Sequence, residues 1–551
     1  MMVDSTPYSR RATLRLLGTT TLFFPLSACG EGGAAGMLAG ATSSPNATPI
    51  PFPTPMPSPT PMPTATPTAD LRPRYHIAAP GGGWINDPQR PIRTADGWTL
   101  WALFNPTYPN GGTSWRRWTS TDLITWRDRD VAIPRNTTPF GDVWTGSTVR
   151  DTDNTSGFGA GAIIALATMP ANDAAGQNQS CALWYSLDEG ASFTFHAIVL
   201  PNYPGNKPFR DPTVFWHEPT RRWVLTLSEE GKIGIYTSSD LKSWSYASGF
   251  FSDLVGSVME CSHLFQLHLY DENGVVGPDK WVLLVGGNGT AQGFTVGTYY
   301  WVGDFDGTTF TADTMTGQWL DSGADFYAAV VWADPRAADP LASACTIGWM
   351  SNWDYANQLS TNAGYRGQLS IVRQLRLRRA GGITRLLSTP LAEQNGAFDH
   401  MVAGTDQVIS EGADYMWPSG AGFFAGRIDL TLTRVGDSWP TGLWLSVRGG
   451  GGYFTQVGLQ LRDNAVFLKR DRSGPNAPDV DAWTKTRTAG CDFTDGTATI
   501  SLLVDAGSIE VFVNEGAAVL SELITAPLNS TELHLNTAGG SVGVSDVTIR
   551  S

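Results

Sequence analysis

Short runs of aliphatic, β-branched and aromatic residues, each bounded by Gly, Pro, Asn or Asp, follow one another along most of this chain. Examples are the runs at residues 98–104, 162–168 and 223–228. Residues of these types favour strands, whereas the bounding residues favour turns. Few windows show the 3.6-residue periodicity of an amphipathic helix, so we expect little helix. The pattern predicts an all-β protein built from short strands.

A short sequence recurs in this region and indicates how the strands are grouped. Ser-Thr-Asp-Leu-Ile-Thr-Trp occupies residues 120–126, and Ser-Ser-Asp-Leu-Lys-Ser-Trp occupies residues 238–244. A looser copy lies at residues 185–193. Each copy stands between two strand-like runs, as expected of one hairpin turn repeated in successive blades. We therefore predict a β-propeller for residues 71–385.

After residue 386 the pattern changes to a strict alternation of apolar and polar residues. The stretches 430–433, 443–448 and 509–514 all alternate in this way. A period of two marks antiparallel strands that bury one face and expose the other. The alternation predicts a β-sandwich for residues 386–551.

The first 29 residues have the composition of an export signal. Arg10 and Arg11 precede an apolar run at residues 14–26, and paired arginines there suggest twin-arginine export. The run ends in Leu-Ser-Ala-Cys-Gly, which resembles a bacterial lipobox with Cys29 as the lipidated residue. We expect export by residues 1–29 and a lipid anchor on Cys29. An ordinary signal peptide with a coincidental cysteine is the alternative.

Residues 30–70 are rich in Pro, Thr and Ser, and proline recurs at every second position from Pro49 to Pro63. Such a segment lacks the apolar residues needed for a core and favours extended polyproline II. We expect a linker that acts as a stalk between the membrane anchor and the folded domains.

The composition and net charge indicate which class of molecule the protein binds. The chain has 51 acidic against 37 basic residues, a net charge of -14, and no block of basic residues. A nucleic-acid partner therefore has no electrostatic support, and a neutral substrate fits better. The five cysteines are scattered without a Cys-x-x-Cys spacing, so the sequence indicates neither a zinc site nor a disulfide framework. One pair is still free to meet in the folded chain.

Three acidic residues stand in short motifs in different predicted blades. Asp87 lies in Trp-Ile-Asn-Asp-Pro, Asp211 in Phe-Arg-Asp-Pro, and Glu260 in Met-Glu-Cys. Because the blades of a propeller converge on a central channel, we expect these carboxyl groups to meet at its mouth. Cleavage of a glycosidic bond requires a pair of carboxyl groups that face each other across the substrate. The three acids are therefore candidate catalytic residues.

These motifs resemble those of glycoside hydrolase family 32, the β-fructofuranosidases that include invertases, levanases and exo-inulinases. The resemblance runs from about residue 72 to the C-terminus. It implies a five-bladed β-propeller followed by a C-terminal β-sandwich. Further matching motifs lie at residues 72–76, 144–147, 209–216, 325–329, 348–355, 470–474 and 504–512.

The resemblance also implies roles for individual residues. Asp87 is the nucleophile, Glu260 the general acid/base, and Asp211 a stabiliser that binds fructosyl hydroxyls. The implied reaction is a double displacement with retention, for which the two reacting carboxyl groups lie about 5 to 5.5 Å apart. Arg210 is expected to keep Asp211 ionised and oriented. No cofactor and no metal is expected. The residues that the resemblance places around the substrate are Asn86, Trp115, Trp144, Thr145, Arg210, Cys261 and Trp353.

Several positions depart from the pattern of the family. Most of them flank the first acid, so we expect altered loops around the fructosyl pocket and an altered substrate preference with the same chemistry. The departures are Gln89 and Arg90 in place of Asn-Gly, Leu103 in place of Gln, Arg116 and Arg117 in place of Gly-His, and Ser262 in place of Pro.

The sequence thus predicts an exported hydrolase that removes terminal fructosyl units from levan, inulin or sucrose. The motif at residues 348–355 and the export signal disfavour a phosphorylated substrate. A fructosyltransferase, in which an acceptor sugar replaces water, is a second hypothesis. A non-catalytic fructan-binding surface lipoprotein is a third. The sequence leaves the preferred linkage and the oligomeric state open.

Overall fold

The computed structural model describes residues 71–551, apart from residues 139, 172–177, 203–207, 230, 253–258, 291–292, 360–363, 417–421 and 462. The predicted export signal at 1–29, the lipobox cysteine Cys29 and the linker at 30–70 lie outside the described residues. Within the part that the structure describes, no helix is long and apolar enough to cross a membrane.

The first three blades are four-stranded antiparallel sheets whose strands pair in chain order. Blade 1 contains β1 (Trp84–Thr94), β2 (Gly97–Asn105), β3 (Ser114–Ser120) and β4 (Arg127–Ile133). Blade 2 contains β5 (Gly146–Asp151), β6 (Ala162–Met169), β7 (Ser180–Ser186) and β8 (Thr194–Leu200). Blade 3 contains β9 (Phe209–His217), β10 (Arg222–Glu229), β11 (Lys232–Ser238) and β12 (Ser245–Phe251).

Blades 4 and 5 are joined into one sheet by a parallel pairing of Leu269 with Leu377 and of Tyr270 with Arg378. Blade 4 contains β13 (Met259–Tyr270), β14 (Val276–Asn288), β15 (Val296–Phe305), β16 (Phe310–Ala312) and β17 (Gln318–Trp319). Blade 5 contains β18 (Tyr327–Ala333), β19 (Ala344–Met350), β20 (Gln368–Leu369), β21 (Arg373–Ala380) and β22 (Ile383–Pro390). The predicted five-bladed propeller is confirmed.

The innermost strands β1, β5, β9, β13 and β18 adjoin one another in this order, and β18 closes the ring against β1. Hydrophobic clusters fill the gaps between neighbouring blades, because each blade buries both of its faces. Leu103 contributes to the gap between blades 1 and 2, and Ile347 to the gap between blades 5 and 1. The packing holds the ends of the innermost strands at fixed positions around one channel.

The recurring turn sequence forms the same structure wherever it occurs in full. In the first copy, the backbone N–H of Leu123 donates to Ser120 Oγ at 2.8 Å, and the buried Leu123 adopts a φ of 66°. In the later copy, Leu241 donates to Ser238 Oγ at 2.9 Å with a φ of 62°. Each turn links the third and fourth strands of its blade. The repeat is therefore a side-chain-capped hairpin, as predicted.

The C-terminal domain is a sandwich of two antiparallel sheets. One has the order β23–β35–β26–β31–β32–β33 with β24 beside β35, and the other has the order β25–β34–β27–β28–β29–β30. The strands are β23 (Met401–Ala403), β24 (Gln407–Ile409), β25 (Asp414–Met416), β26 (Gly426–Arg434), β27 (Gly442–Gly450), β28 (Tyr453–Gln460), β29 (Ala465–Lys469), β30 (Arg487–Gly490), β31 (Thr497–Asp505), β32 (Ser508–Val513), β33 (Ala518–Leu523), β34 (Glu532–Ala538) and β35 (Val542–Arg550).

Helix is rare, as expected. The α-helix among the described residues is the single turn α1 (Asp481–Thr484). Short 3₁₀ turns occur at Pro80–Gly82, Glu218–Thr220, Ala356–Gln358 and Ala392–Ala397. Strand β22 runs to Pro390, past the boundary placed at residue 385, and the first sandwich strand begins at Met401.

Strand β32 departs from the predicted alternation. Its odd-numbered residues from 509 to 513 face the sandwich core as expected, but Glu510 and Phe512 on the opposite face are buried as well. This second face lies against the propeller, where Phe512 packs with Ile371 and Glu510 pairs with Arg373. The expectation that these two side chains face solvent is wrong, because the domain interface covers them.

A buried ionic network joins the two domains at this point. The guanidinium of Arg373 binds Glu510 at 2.5 Å and Asp321 at 2.8 Å. His76 lies between Asp505 and Glu510, at 2.8 Å from each. Burial alone lowers the pKa of His76, but the hydrogen bonds and charges of Asp505 and Glu510 outweigh it and raise that pKa to about 9. The network therefore carries a charged imidazole at neutral pH.

Candidate active site

A β-bulge near the start of an innermost strand presents each of the three acids. Asp87 has a φ of 23° and lies at a register shift between Asn86 and Pro88. Asp211 has a φ of 59° and lies at the corresponding shift in blade 3. In both motifs the following proline has no N–H to give to the ladder, which favours an irregular pairing at that point. The Asp-Pro dipeptide thus favours the bulge in blades 1 and 3.

Glu260 uses the same bulge at a different position. The residue with positive φ in blade 4 is Cys261, at 49°, so Glu260 directly precedes it. Arg210 holds the equivalent position before Asp211, and Tyr327 holds it in blade 5. Left-handed backbone is costly for residues other than glycine and persists where the surrounding packing enforces it. Each bulge therefore presents two side chains: that of the residue with positive φ and that of the residue before it.

Asp87 is buried, with 9% of its surface exposed. The hydroxyl of Thr145 in blade 2 donates a short hydrogen bond to Asp87 Oδ2. Oδ1 is buried and accepts no hydrogen bond of good geometry from the described residues. Burial raises the pKa of Asp87 to about 6, assisted by the charge of Glu260, although hydrogen bonding from Thr145 and Asn86 acts in the opposite direction. One carboxyl oxygen is thus fixed by Thr145, and the other has no such partner among the described residues.

Glu260 is held through both of its oxygens. Arg210 donates to Oε1 from Nε at 2.8 Å and from Nη2 at 2.5 Å. The hydroxyl of Tyr327 donates to Oε2 at 2.6 Å. Arg210 also contacts the side-chain oxygen of Gln179, at 3.4 Å. The carboxyl group is therefore oriented by residues from blades 3 and 5.

The expectation that Arg210 orients Asp211 is wrong. No hydrogen bond joins these two side chains, because Arg210 turns toward Glu260. Asp211 Oδ2 instead accepts from the backbone N–H of Cys261 at 3.3 Å and lies 3.6 Å from its thiol. Burial, together with the charge of Glu260, raises the pKa of Asp211, and the positive charge of Arg210 offsets this only in part. The environment therefore favours the neutral form of Asp211.

Trp115 does not line the pocket, contrary to prediction. Its side chain is completely buried in the hydrophobic cluster between blades 1 and 2. Its indole N–H donates to the backbone carbonyl of Trp144 at 2.9 Å. The strand pairing places Trp115 on the face of blade 1 that packs against blade 2, and for this reason its side chain is buried. Trp115 supports the position of the half-buried Trp144, which directly precedes Thr145.

Trp353 lies at the surface beside the first acidic motif, with 43% of its area exposed. Its ring stacks on Trp84 at a centroid distance of 6.1 Å and contacts Trp349 at 4.7 Å. The indole N–H of Trp84 donates to Asn86 Oδ1 at 2.8 Å. Trp353 therefore presents an exposed aromatic ring beside Trp84, whose indole binds Asn86. Such a ring favours packing on the C–H face of a sugar.

The departures from the family pattern lie in strands, not in loops as expected, and all but Ser262 are in blade 1. Leu103 is buried among the apolar residues of the gap between blades 1 and 2. Gln89 is completely buried. Arg90 donates to the carbonyl of Val214 at 3.1 Å, and Arg116 pairs with Asp128 at 2.6 Å. Arg117 lies beside Trp115 in β3, and Ser262 in β13 is completely buried.

The sequence analysis did not identify two residues that contribute to the site, Tyr327 and Thr168. Tyr327 lies in a family motif, but its contact with Glu260 depends on the packing of blade 5 against blade 4. Thr168 donates from its hydroxyl to the backbone carbonyl of Thr145 at 2.7 Å and accepts from the N–H of Asp211 at 2.8 Å. It therefore couples the first and second aspartates through blade 2. No local signal identifies Thr168, because an isolated threonine in a strand is ordinary.

The cysteines offer no disulfide among the described residues. Cys181, Cys261, Cys345 and Cys491 are all buried and free. No group of three or more His, Cys, Asp or Glu side chains in the described ranges is arranged to hold a metal ion.

The chain is similar to known proteins over most of its length. The model of the Glycosyl hydrolases family 32 N-terminal domain matches residues 76–390, and the model of the Glycosyl hydrolases family 32 C terminal matches residues 401–551. The levanbiose-producing levanase of Bacillus subtilis is 36% identical over 495 residues, which are 87% of this chain and 91% of that protein. The levanbiose-producing levanase of Geobacillus stearothermophilus is 42% identical over 326 residues, which are 58% of this chain and 79% of that protein.

A fungal relative combines sequence similarity with a solved structure. The extracellular exo-inulinase of Aspergillus awamori is 31% identical over 509 residues, covering 85% of this chain and 92% of that protein. The crystal structure of an exo-inulinase from the same organism matches with a TM-score of 0.76 at 28% identity. That match covers 88% of this chain and 99% of the other.

Proposed function

The chain belongs to glycosyl hydrolase family 32, and from this premise we propose that it is a β-fructofuranosidase acting on fructans or sucrose. The observation that carries the proposal is Glu260, held through both oxygens beside the two buried aspartates, Asp87 and Asp211. Two carboxyl groups with distinct surroundings are what a retaining glycosidase requires. The levanase and exo-inulinase relatives support a fructan as the substrate class.

Asp87 acts as the nucleophile. Its Oδ1 attacks the anomeric carbon of the fructosyl unit, and the bond from that carbon to the leaving oxygen breaks through an oxocarbenium-like transition state. The Thr145 hydroxyl on Oδ2 stabilises the ionised carboxylate before attack. The carboxyl groups of Asp87 and Glu260 are expected to lie about 5 to 5.5 Å apart, and this distance stays a prediction.

Glu260 acts as the general acid and base. It gives its proton to the departing oxygen, and then takes a proton from the water that hydrolyses the fructosyl ester of Asp87. Arg210 and Tyr327 hold both oxygens of Glu260, so the same group is in position for both steps. The anomeric configuration is retained because each displacement inverts it.

Asp211 binds fructosyl hydroxyls beside the reacting carbon. Its environment favours the neutral carboxylic acid, which both donates and accepts hydrogen bonds. Asn86, Trp144, Cys261 and Trp353 complete the proposed fructosyl site.

Incubation of the purified full chain with levan, inulin and sucrose tests this function, with products identified by chromatography. We expect soluble fructose or a short fructo-oligosaccharide from at least one substrate. Asp87→Asn and Glu260→Gln are expected to lower the rate by roughly a hundredfold or more. In the presence of methanol, a retaining enzyme forms methyl β-D-fructofuranoside. Near wild-type turnover by both variants contradicts the assigned roles.

The length of the released unit is a separate question. Two relatives are named levanbiose-producing levanases, one of them 42% identical over the region that it shares with this chain. This favours levanbiose, a disaccharide of fructose, as a product from levan. Chromatography of the earliest products distinguishes it from the release of single fructosyl units.

The same assay decides between hydrolysis and the other two hypotheses. A fructosyltransferase yields longer oligosaccharides with little free fructose at high sucrose concentration. A binding lipoprotein retains fructan without turnover. The paired environments of Asp87 and Glu260 favour hydrolysis over binding alone.

Export is part of the proposed function, because a polymeric fructan does not enter a cell. The extracellular exo-inulinase relatives support export. The lipid anchor at Cys29 and the stalk at residues 30–70 rest on the sequence pattern. Expression in a bacterial host with labelled fatty acid tests the anchor, with Cys29→Ser as the control. Label in the Cys29→Ser variant contradicts it.

A further inference from the structure

Gln89 links the backbone of Asp87 to blade 2. Its side-chain Nε2 donates to the carbonyl of Asp87 at 2.8 Å, and its Oε1 accepts from the N–H of Gly146 at 2.7 Å. Gln89 is completely buried, so both bonds are shielded from water. A buried amide that satisfies two backbone groups is costly to remove, because both groups are then left without a partner.

These two backbone groups have no partner in the regular ladders. Asp87 is skipped in the pairing of β1 with β2, because the bulge lies between Asn86 and Pro88. Gly146 begins the innermost strand of blade 2, and its N–H faces blade 1. A side chain at Gly146 would collide with the carbonyl of Leu166, at 1.9 Å from an added Cβ. The backbone of blade 2 is therefore tightly constrained beside Gln89.

Gly146 directly follows Thr145, the residue whose hydroxyl binds Asp87 Oδ2. The contacts form a closed circuit from the carbonyl of Asp87 through Gln89 to Gly146, and back through Thr145 to the carboxylate of Asp87. One side chain thus fixes the distance between the nucleophile's backbone and the hydroxyl that binds its carboxylate.

We propose that Gln89 is a positioning residue, which aligns the Thr145 hydroxyl with the carboxylate of Asp87 and so sets the nucleophile for attack. This inference rests on the proposed role of Asp87. Gln89 lies where the chain departs from the Asn-Gly of the family pattern. It acts through Thr145 and need not touch the substrate.

The test compares Gln89→Met with wild type. Methionine keeps the length of the side chain and removes both hydrogen bonds. We expect kcat to fall roughly ten- to hundredfold, as for a modest misplacement of a reacting group, with little change in KM. The acid limb of the kcat/KM profile should move to higher pH, because a weakened bond from Thr145 stabilises the ionised form of Asp87 less.

A double-variant cycle separates positioning from a general loss of structure. In a Thr145→Val background, Gln89→Met should shift the acid limb no further, since the bond on which it acts is already absent. Gln368→Met is the matched control, because Gln368 is also completely buried and donates to Ser508 Oγ at 2.9 Å, in the domain interface. It should lower the melting temperature without moving the acid limb.

The proposal would be overturned by an unchanged acid limb in Gln89→Met or by fully additive shifts in the double variant. If Gln89→Met does not fold, Gln89→Leu replaces it, since leucine also removes both hydrogen bonds, adds no charge beside Asp87 and should move the limb in the same direction. Wild-type turnover tests the proposed function separately. A crystal structure of either variant shows, independently of turnover, whether the bond from Thr145 to Asp87 has opened; an intact bond there also contradicts the inference.

Discussion

The guanidinium of Arg210 donates two hydrogen bonds to a single oxygen of Glu260, and the hydroxyl of Tyr327 donates to the other oxygen. The carboxyl group is therefore fixed by two blades other than its own. Such fixation keeps an acid/base group in line with the leaving oxygen, and its loss should reduce the rate of the chemical step more than binding.

Replacement of Arg210 by lysine should lower kcat about tenfold or more. A compact ammonium group lacks the planar fork that delivers two bonds to one carboxylate. Steady-state kinetics on the preferred fructan measure the effect. Arg150→Lys is the matched control, since Arg150 pairs with Glu189 at the protein surface at 2.7 Å, and should leave kcat unchanged. Equal effects of the two substitutions would argue against an orienting role for Arg210.

Loss of the Thr145 hydroxyl should shift the pH dependence of the reaction. The pKa of Asp87 is raised to about 6, and the bond from Thr145 acts to lower it. The nucleophile must be ionised, so activity should fall as the pH drops below about 6. Thr145→Val removes a bond to the ionised form and should move the acid limb of kcat/KM to higher pH. Thr145→Ser keeps the hydroxyl, and a similar shift in that variant would contradict the explanation.

Trp353 and Trp115 should respond in opposite ways to substitution. Trp353→Ala removes an exposed aromatic face and should raise KM with little change in melting temperature. Trp115→Ala leaves a cavity in the gap between blades 1 and 2 and should cost about 3 to 5 kcal/mol of folding free energy. Thermal denaturation and steady-state kinetics on both variants check the contrast. A stability loss in Trp353→Ala as large as that in Trp115→Ala would contradict it.

His76 should make the stability of the protein depend on pH. Its pKa is raised from 6.5 to about 9 in the folded chain. The stabilisation is fully present below pH 6.5 and is lost as the pH rises through about 9, because the unfolded chain releases its proton first. The melting temperature should therefore fall between these two pH values, and His76→Ala should flatten this dependence.

Substitution of His76 should also destabilise the folded state at neutral pH, by about 3 to 5 kcal/mol, since it leaves buried carboxylates without their partner. His268→Ala is a useful control. His268 also lies between two carboxylates, Asp279 at 2.5 Å and Asp339 at 2.7 Å, but at the surface. Its removal should cost below about 1 kcal/mol. Comparable losses in the two variants would contradict the importance attributed to burial.

Much of the fold was readable from local pattern. The recurring Ser-x-Asp-Leu turn predicted successive blades because its side-chain caps are formed within a few residues. Period-two alternation predicted the sandwich strands because it reflects which side of each strand is buried. The alternation gave a wrong prediction for Glu510 and Phe512, because the propeller covers the outer face of their strand.

The acidic motifs were also local signals. The proline after Asp87 and the proline after Asp211 favour bulges where those residues stand, so the sequence by itself determined how the backbone presents these two aspartates. It determined the class of fold as well, because strand and turn preferences act over a few neighbouring residues.

Only the tertiary structure decided the partners of those acids. Arg210 precedes Asp211 in the chain but binds Glu260, 50 residues away. Trp115 resembled a pocket residue but is buried between blades, and Gln89 spans to Gly146 in the next blade. The physical reason is common to all three: each contact joins different blades, and its geometry is set when the blades pack around the channel.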